Sequence, residues 1–460
     1  MPGPDGIIRN DASDNFTVKS LEMESKYIKG LTNFTGKFQW RVLLKGETEI
    51  AGAWNEISAL TGNIERGGMV ATEHFSPFIL DDAIITYGFY DSGHGEAGLT
   101  NRHQCYVTIC SRSNESWMGA VAPPESAQAQ LPFARFVLPA AHDNGMNTME
   151  NARAVLKGIS PSHNPLMKEY LPHLTFFDHL PDAAIAQMLP NIVYATSVTQ
   201  KKPIRTMLDL GTRYFEFRPA LLLPLFQEIS SLPNKFYFQH SCIPGVPLES
   251  FLDDQVAFLD EHPTEIVTLH FRFDNIPAAC KKPTKDEIAD HLNNACAKAN
   301  KNGPLTWCGR EDFITPIDDL RRSGKRLIVV TLAEKYDSWT AQAYATLHTE
   351  SIIGRFESMN TEGQHATDLT VLQCQATSQS IPEVLVHSVV ASNTATSCLS
   401  STKAMGDMRT LPWIRANANQ RLKAERNIVV MNDFIDGATC DTCVDLSAER
   451  LSWGPADCVR

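Results

Sequence analysis

From Leu131 onward, short apolar runs alternate with longer stretches in which apolar residues recur every three or four positions, the pattern of strands separated by helices. Eight runs read as strands: 133–138, 213–217, 236–239, 265–271, 326–332, 351–355, 384–390 and 427–431. Between them Leu248, Phe251, Leu252, Val256 and Leu259 keep helical spacing until Pro263 stops it, and residues 286–299 behave in the same way. Eight strands alternating with helices predict an α/β fold of the TIM-type (β/α)8 barrel kind, distorted from the regular form. Residues 1–120 read differently. Runs at 38–44, 83–89 and 103–110 lie between Gly, Asn and Asp turns with no strong helical period, which predicts a small all-β, sandwich-like N-terminal domain. Residues 121–130, rich in Pro, Ala and Gln, read as a linker, so the barrel domain spans 131–460. No repeat of solenoid period is present.

Composition narrows the classes. A chain of 460 residues with 43% hydrophobic and 20% charged residues suits two or three globular domains with an ordinary core. A formal net charge of -12 disfavours binding nucleic acid or an anionic bilayer by bulk attraction. Any anionic substrate must then be held by local cations. Residues 1–20 lack the basic segment and apolar core of a secretory leader, and no run nears the roughly 20 apolar residues of a membrane span, so the expectation is cytoplasmic. Sequons at Asn15, Asn33 and Asn114 leave a secreted form open. Oligomeric state is not legible. Eleven cysteines, mostly scattered, fit reduced thiols. The pair Cys440 and Cys443, with Cys458 beyond, lacks the second pair or the histidines that zinc wants, which leaves a tail disulfide or free thiols.

The chemistry-bearing residues sit where predicted strands end. The first run leads into Pro139-Ala140-Ala141-His142-Asp143-Asn144-Gly145, with Gly145 suited to a sharp turn. The second carries Glu216 and Arg218, and the third ends at His240. Strand ends of a β/α barrel converge on one face, so two imidazoles, a guanidinium and two carboxylates would meet there. Two histidines can take and return a proton near neutrality without a metal, and an arginine gives two-pronged contact to a phosphate. A lone histidine at a strand end is more often structural; the combination reverses that weighting.

These residues resemble the phosphatidylinositol-specific phospholipase C family, X-domain type, over about the last three quarters of the chain and more its bacterial, metal-independent branch than its calcium-dependent animal branch. The resemblance implies a phosphodiesterase that displaces diacylglycerol in line and leaves a 1,2-cyclic inositol phosphate. His142 matches the general base of a Pro-x-x-His-Asp turn, and His240 matches the general acid. Asp143 would orient the acid; Arg218, in Glu-Phe-Arg, matches Asp-x-Arg and would hold phosphate; Asp433 matches the aspartate that bonds the base histidine. Glu216, one methylene longer than the usual aspartate, Arg272, where the bacterial enzymes carry lysine, and Lys335 would line the headgroup site. Arg218 and Arg272 stand where the animal enzymes resemble acidic calcium ligands, so no metal and no cofactor are expected. The implied partner is a phospholipid or other phosphodiester. The apolar stretch 219–226 would lie at the barrel mouth, either dipping into a bilayer or packed as a lid under the next helix. Rival readings are a glycerophosphodiesterase or sphingomyelinase-D-like enzyme, disfavoured by Arg218 where an acidic metal cluster would be; a barrel recruited to another phosphodiester or a biosynthetic substrate; and a non-catalytic lipid or headgroup binder.

Overall fold

The computed structural model describes residues 5–10, 16–29, 33–58, 78–80, 84–90, 104–110, 114–171, 174–175, 178–299, 303–331, 335–340, 349–359, 365–375, 398–422 and 426–453. Among the described residues, seven strands precede residue 114: β1 (Asp5–Asn10), β2 (Phe16–Lys29), β3 (Asn33–Leu44), β4 (Thr48–Ser58), β5 (Phe78–Ile79), β6 (Ile84–Tyr90) and β7 (Gln104–Cys110). They form two sheets, β2-β3-β4 and β1-β7-β6-β5. Trp40, Val42 and Ala51 from one sheet and Ile85, Tyr87, Val107 and Ile109 from the other share one apolar cluster. The Trp40 and Tyr87 rings meet edge-on at 4.9 Å between centroids.

The stretch 121–130 is half exposed and anchored at several points. Ala122 and Ala129 are fully buried, and the Glu125 amide and the Gln130 side chain both donate to Asp318 on the helix Ile317–Ser323. Asn114 is likewise buried, its amide nitrogen donating to Asp441, so the folded chain does not present that sequon.

Beyond it come β8 (Val137–Ala141), β9 (Tyr214–Phe217), β10 (Pro219–Ala220), β11 (Tyr237–His240), β12 (Ile243–Pro247), β13 (Val267–Phe271), β14 (Thr306–Gly309), β15 (Lys325–Val330), β16 (Lys335–Asp337), β17 (Leu369–Gln373) and β18 (Asn427–Asn432). Eight of these make one parallel sheet in the order β14-β15-β13-β9-β8-β18-β17-β16, a distorted TIM-type barrel whose edge strands β14 and β16 do not pair with each other among the described residues. Its central strands are buried on both faces, which explains runs such as Val-Thr-Leu-His-Phe in β13 and Asn-Ile-Val-Val-Met-Asn in β18. One face of the sheet packs Leu138, Ala140, Tyr214, Ile328, Val371 and Val429 together. The other packs Phe215, Phe217, Leu269 and Phe271 with Leu248, Phe251, Leu252, Val256 and Leu259 of the helix Leu248–Glu261, as their spacing predicts. The helix Lys285–Cys296 opens on a reciprocal cap, Thr284 with Glu287.

Several expected strands move. Residues 133–135 are a 3-10 turn and the strand begins at Val137. The run 236–239 is not a barrel strand: β11 belongs to a separate antiparallel sheet, β10-β11-β12, while β9 pairs directly with β13. Residues 351–355 lie inside the helix Thr349–Ser358, where Ile352 and Phe356, four apart, supply the buried stripe that outweighs the β-branched pair Ile352-Ile353. The run 384–390 lies outside the described residues. Strands β14, β16 and β17 take the remaining places. No helix among the described residues is long and apolar enough to cross a membrane.

Candidate active site

At the end of β8 the chain turns through His142 and Asp143. Asp143 adopts a left-handed φ of 42°, a conformation that aspartate tolerates better than most residues. Three bonds hold it there: its amide donates to Glu216 Oε1 at 3.2 Å, and its carbonyl accepts from the Met146 amide at 2.8 Å and Thr199 Oγ1 at 2.9 Å. Gly145 is required for closeness instead of left-handed backbone. A Cβ there would lie 2.2 Å from Phe238 Cγ, so the glycine lets β11 approach the turn and brings His240 with it.

The result is one constellation. His142 Nδ1 bonds Asp433 Oδ1 at 2.8 Å, which leaves Nε2 facing Asp143 Oδ2 at 3.7 Å. His240 Nε2 faces the same oxygen at 3.6 Å. Arg218 Nη2 reaches Asp143 Oδ1 at 2.7 Å and Glu216 Oε1 at 3.2 Å, while Arg272 Nη1 reaches Glu216 Oε2 at 2.7 Å and its fork holds Asp274 at 2.8 Å. Both imidazoles stay partly open, at 21% and 29% exposed, above carboxylates that are almost fully buried.

Charge decides the protonation. Burial works to lower the His142 pKa, yet the carboxylates of Asp143, Asp433 and Glu216 raise it from 6.5 to about 9. Burial lowers that of His240, Asp143 pulls it back in part, and the charges of Arg218 and His142 push it further down. One proton therefore rests on the pair near neutrality, mainly on His142. Burial opposes ionisation of Glu216, but Arg272 and Arg218 hold its carboxyl well below the usual range. Burial pushes the Asp433 carboxyl upward against the pull of His142.

Seven of the eight predicted site residues thus meet. Lys335 opens β16, and its side chain lies outside what the structure describes. Three contributors escape the motifs. Gln200 donates to the carbonyls of His142 and Asn432 at 2.9 and 3.0 Å and accepts from the Ile435 amide, stapling the ends of β8 and β18; no local pattern marks it. Asp274, two residues after Arg272, carries a readable Arg-x-Asp spacing. Lys403, 1% exposed, pairs with Asp407 and Asp436 directly behind β18. In the apolar stretch 219–226, Ala220, Leu222, Leu223 and Phe226 are buried in the core. Cys440 and Cys443 are free, buried thiols, and burial pushes both upward; Cys458 lies outside the described residues.

His142, Asp143 and Glu216 place three ligand atoms within 4.8 Å of one another, close enough to surround a cation. Both carboxylates already bind guanidinium groups, and Arg218 and Arg272 would stand against the ion.

No family model matches the chain. Human PI-PLC X domain-containing protein 1 is 24% identical over 265 residues, 55% of this chain and 71% of that protein. The resemblance to the phosphatidylinositol-specific phospholipase C family drawn from the motifs is thus matched by a sequence relative carrying that domain's name. Among solved structures, a mutant phosphatidylinositol-specific phospholipase C from Staphylococcus aureus is similar at 13% identity and a TM-score of 0.40, covering 73% of this chain and 96% of that one. The enzyme from Listeria monocytogenes gives 11% identity and a TM-score of 0.39, covering 73% and 98%.

Proposed function

We propose that this protein is a phosphodiesterase of the phosphatidylinositol phospholipase C type, cleaving its substrate by histidine acid-base catalysis through a cyclic phosphodiester and without a metal. The carrying observation is that His142 and His240 point their Nε2 atoms at the same Asp143 oxygen with Arg218 on that carboxylate's other oxygen. A phosphate entering there meets two proton-transfer groups and a fixed cation.

His142 is the base and His240 the acid in this reading. The Asp433 carboxylate behind Nδ1 stabilises the imidazolium that forms when His142 takes the proton of the attacking hydroxyl. His240, whose buried Nδ1 has no hydrogen-bond partner among the described residues, gives its proton readily to the departing alkoxide. The reactive form carries the pair's single proton on His240 while the resting form carries it on His142; both have the same total charge, so they share one bell-shaped pH profile. Arg218 neutralises charge growing on the phosphoryl oxygens. Glu216 and Arg272 would hold the headgroup hydroxyls, with phosphatidylinositol the first substrate to try.

The test is phosphorus NMR of the protein with phosphatidylinositol in detergent micelles, with and without chelator. A five-membered cyclic phosphate resonance in both samples is expected. Product only without chelator would overturn metal independence, and no product from folded protein would overturn the phosphatidylinositol assignment.

A further inference from the structure

A second cavity lies outside this constellation, and its origin is a mismatch in strand length. The last residue of β14, Gly309, pairs with Val329, while β15 continues through Val330. Above that step the helix Lys285–Cys296 lies against the sheet, and a cavity of about 470 Å³ remains between them. That volume is within the roughly 300–1,000 Å³ of small-molecule sites.

Its walls are apolar: Phe273, Ile288, Leu292, Trp307 and Val329. The indole is fixed, since Trp307 Nε1 donates to Asn293 Oδ1 at 2.9 Å. Three charged residues, Lys285, Arg310 and Glu311, also reach this lining. Arg310 Nη1 is buried and has no hydrogen-bond partner, and the side chain has no ion pair among the described residues. The adjacent carboxylate does not supply one. Glu311 folds back over Gly309 so closely that a Cβ there would lie 2.4 Å from Glu311 Oε2. At the rim stands the exposed Lys285.

A guanidinium nitrogen left without a partner is costly. We propose that this cavity is a binding site for a single-chain anionic amphiphile, its carboxylate or phosphate head on Arg310 and Lys285 and its alkyl chain against Phe273, Leu292 and Trp307. The site is independent of the catalytic reading, and it would stand if that reading fell.

The experiment is isothermal titration of the full chain with decanoate, decyl phosphate and decanol. One anion per chain is expected, with each methylene added to a shorter chain tightening binding about fourfold until the cavity is full. Arg310→Gln should weaken the anions about tenfold or more and leave decanol unchanged. Ala289→Phe, which fills the chamber from the helix side, should abolish all three. The tighter of the two anions identifies the head group. Equal binding of the anions by wild type and Arg310→Gln, or no binding by wild type, overturns the proposal. Should Ala289→Phe misfold, decanoate bearing a terminal diazirine crosslinked to wild type decides the location: labelling in 285–292 and 307–310 supports the cavity, and labelling elsewhere refutes it.

Discussion

Asp433→Asn is the sharpest perturbation of the proposed base. The rise of the His142 pKa from 6.5 to about 9 is worth about 3 kcal/mol at 1.36 kcal/mol per unit, a value that His142 retains because only 21% of its side chain is exposed. Asp433 contributes twice, by charge and by the 2.8 Å hydrogen bond, while Asp143 and Glu216 contribute by charge alone. The asparagine keeps the shape and removes the charge. Its His142 midpoint should fall by about one unit or more, read by histidine NMR titration. The basic limb of the activity profile should fall with it, because the pair then loses its one proton at lower pH. The acid limb, set by His240 below 6.5, should hardly move. Stability follows the same linkage. A folded pKa raised above the unfolded value contributes stability that is complete below pH 6.5 and lost as pH rises through about 9, so the mutant should show a weaker loss across that window. An unchanged His142 midpoint in Asp433→Asn would refute the electrostatic account of the site.

Other consequences are open to direct test. His142→Ala and His240→Ala should each lower turnover by about two to four orders of magnitude; a substrate with a low-pKa leaving group should rescue His240→Ala alone, and rescue of His142→Ala instead would exchange the two roles. Glu216→Gln leaves Arg218 with Asp143 alone and Arg272 with only the half-exposed Asp274, and should cost about 3–5 kcal/mol by denaturant unfolding, whereas a change under 1 kcal/mol would show Glu216 to be dispensable. Gly145→Ala drives a methyl into Phe238 and should cost about 1–3 kcal/mol together with activity, with Phe238→Leu restoring part of both. Cys440 and Cys443 should resist thiol reagents in the folded protein and react in denaturant; fast native labelling would contradict their burial.

The parts of this site legible in the sequence are those written locally. A histidine and an aspartate after an apolar run, or Glu-x-Arg at the end of one, need no knowledge of neighbours. What failed is what pairing decides. Nothing within residues 236–239 says that β11 leaves the barrel for a hairpin, because that follows from β9 pairing with β13 across more than fifty residues. The helix Thr349–Ser358 reads as a strand in a short window because Ile352 and Ile353 are β-branched, and only the Ile352 to Phe356 spacing corrects it. Gly145 was readable as a turn glycine, but its constraint comes from Phe238, ninety-three residues away. Gln200 carries no signal at all, since a staple between two strand ends is a property of the assembled mouth.

The charge pattern at the mouth gives the strongest argument about mechanism. Asp143, Glu216 and Asp433 bring three carboxylates into a nearly dry pocket, and Arg218, Arg272 and a protonated His142 bring three cations. Each carboxylate is thereby matched before any substrate arrives, and burying that many charges is tolerable only because every partner is in place. On the proposed metal-free reading, a divalent ion would break this balance. A phosphodiester monoanion fits it better, since it can take over the Arg218 contact from Asp143 while Asp143 remains against the two imidazoles. The left-handed backbone at Asp143, held by Glu216, Thr199 and Met146, keeps that carboxylate between the histidines during the exchange. Asp143→Asn therefore separates positioning from charge: it keeps the geometry, should lower the His142 pKa, and should slow turnover without weakening phosphate binding at Arg218. Weaker phosphate binding with unchanged turnover would place Asp143 on the substrate instead of between the histidines.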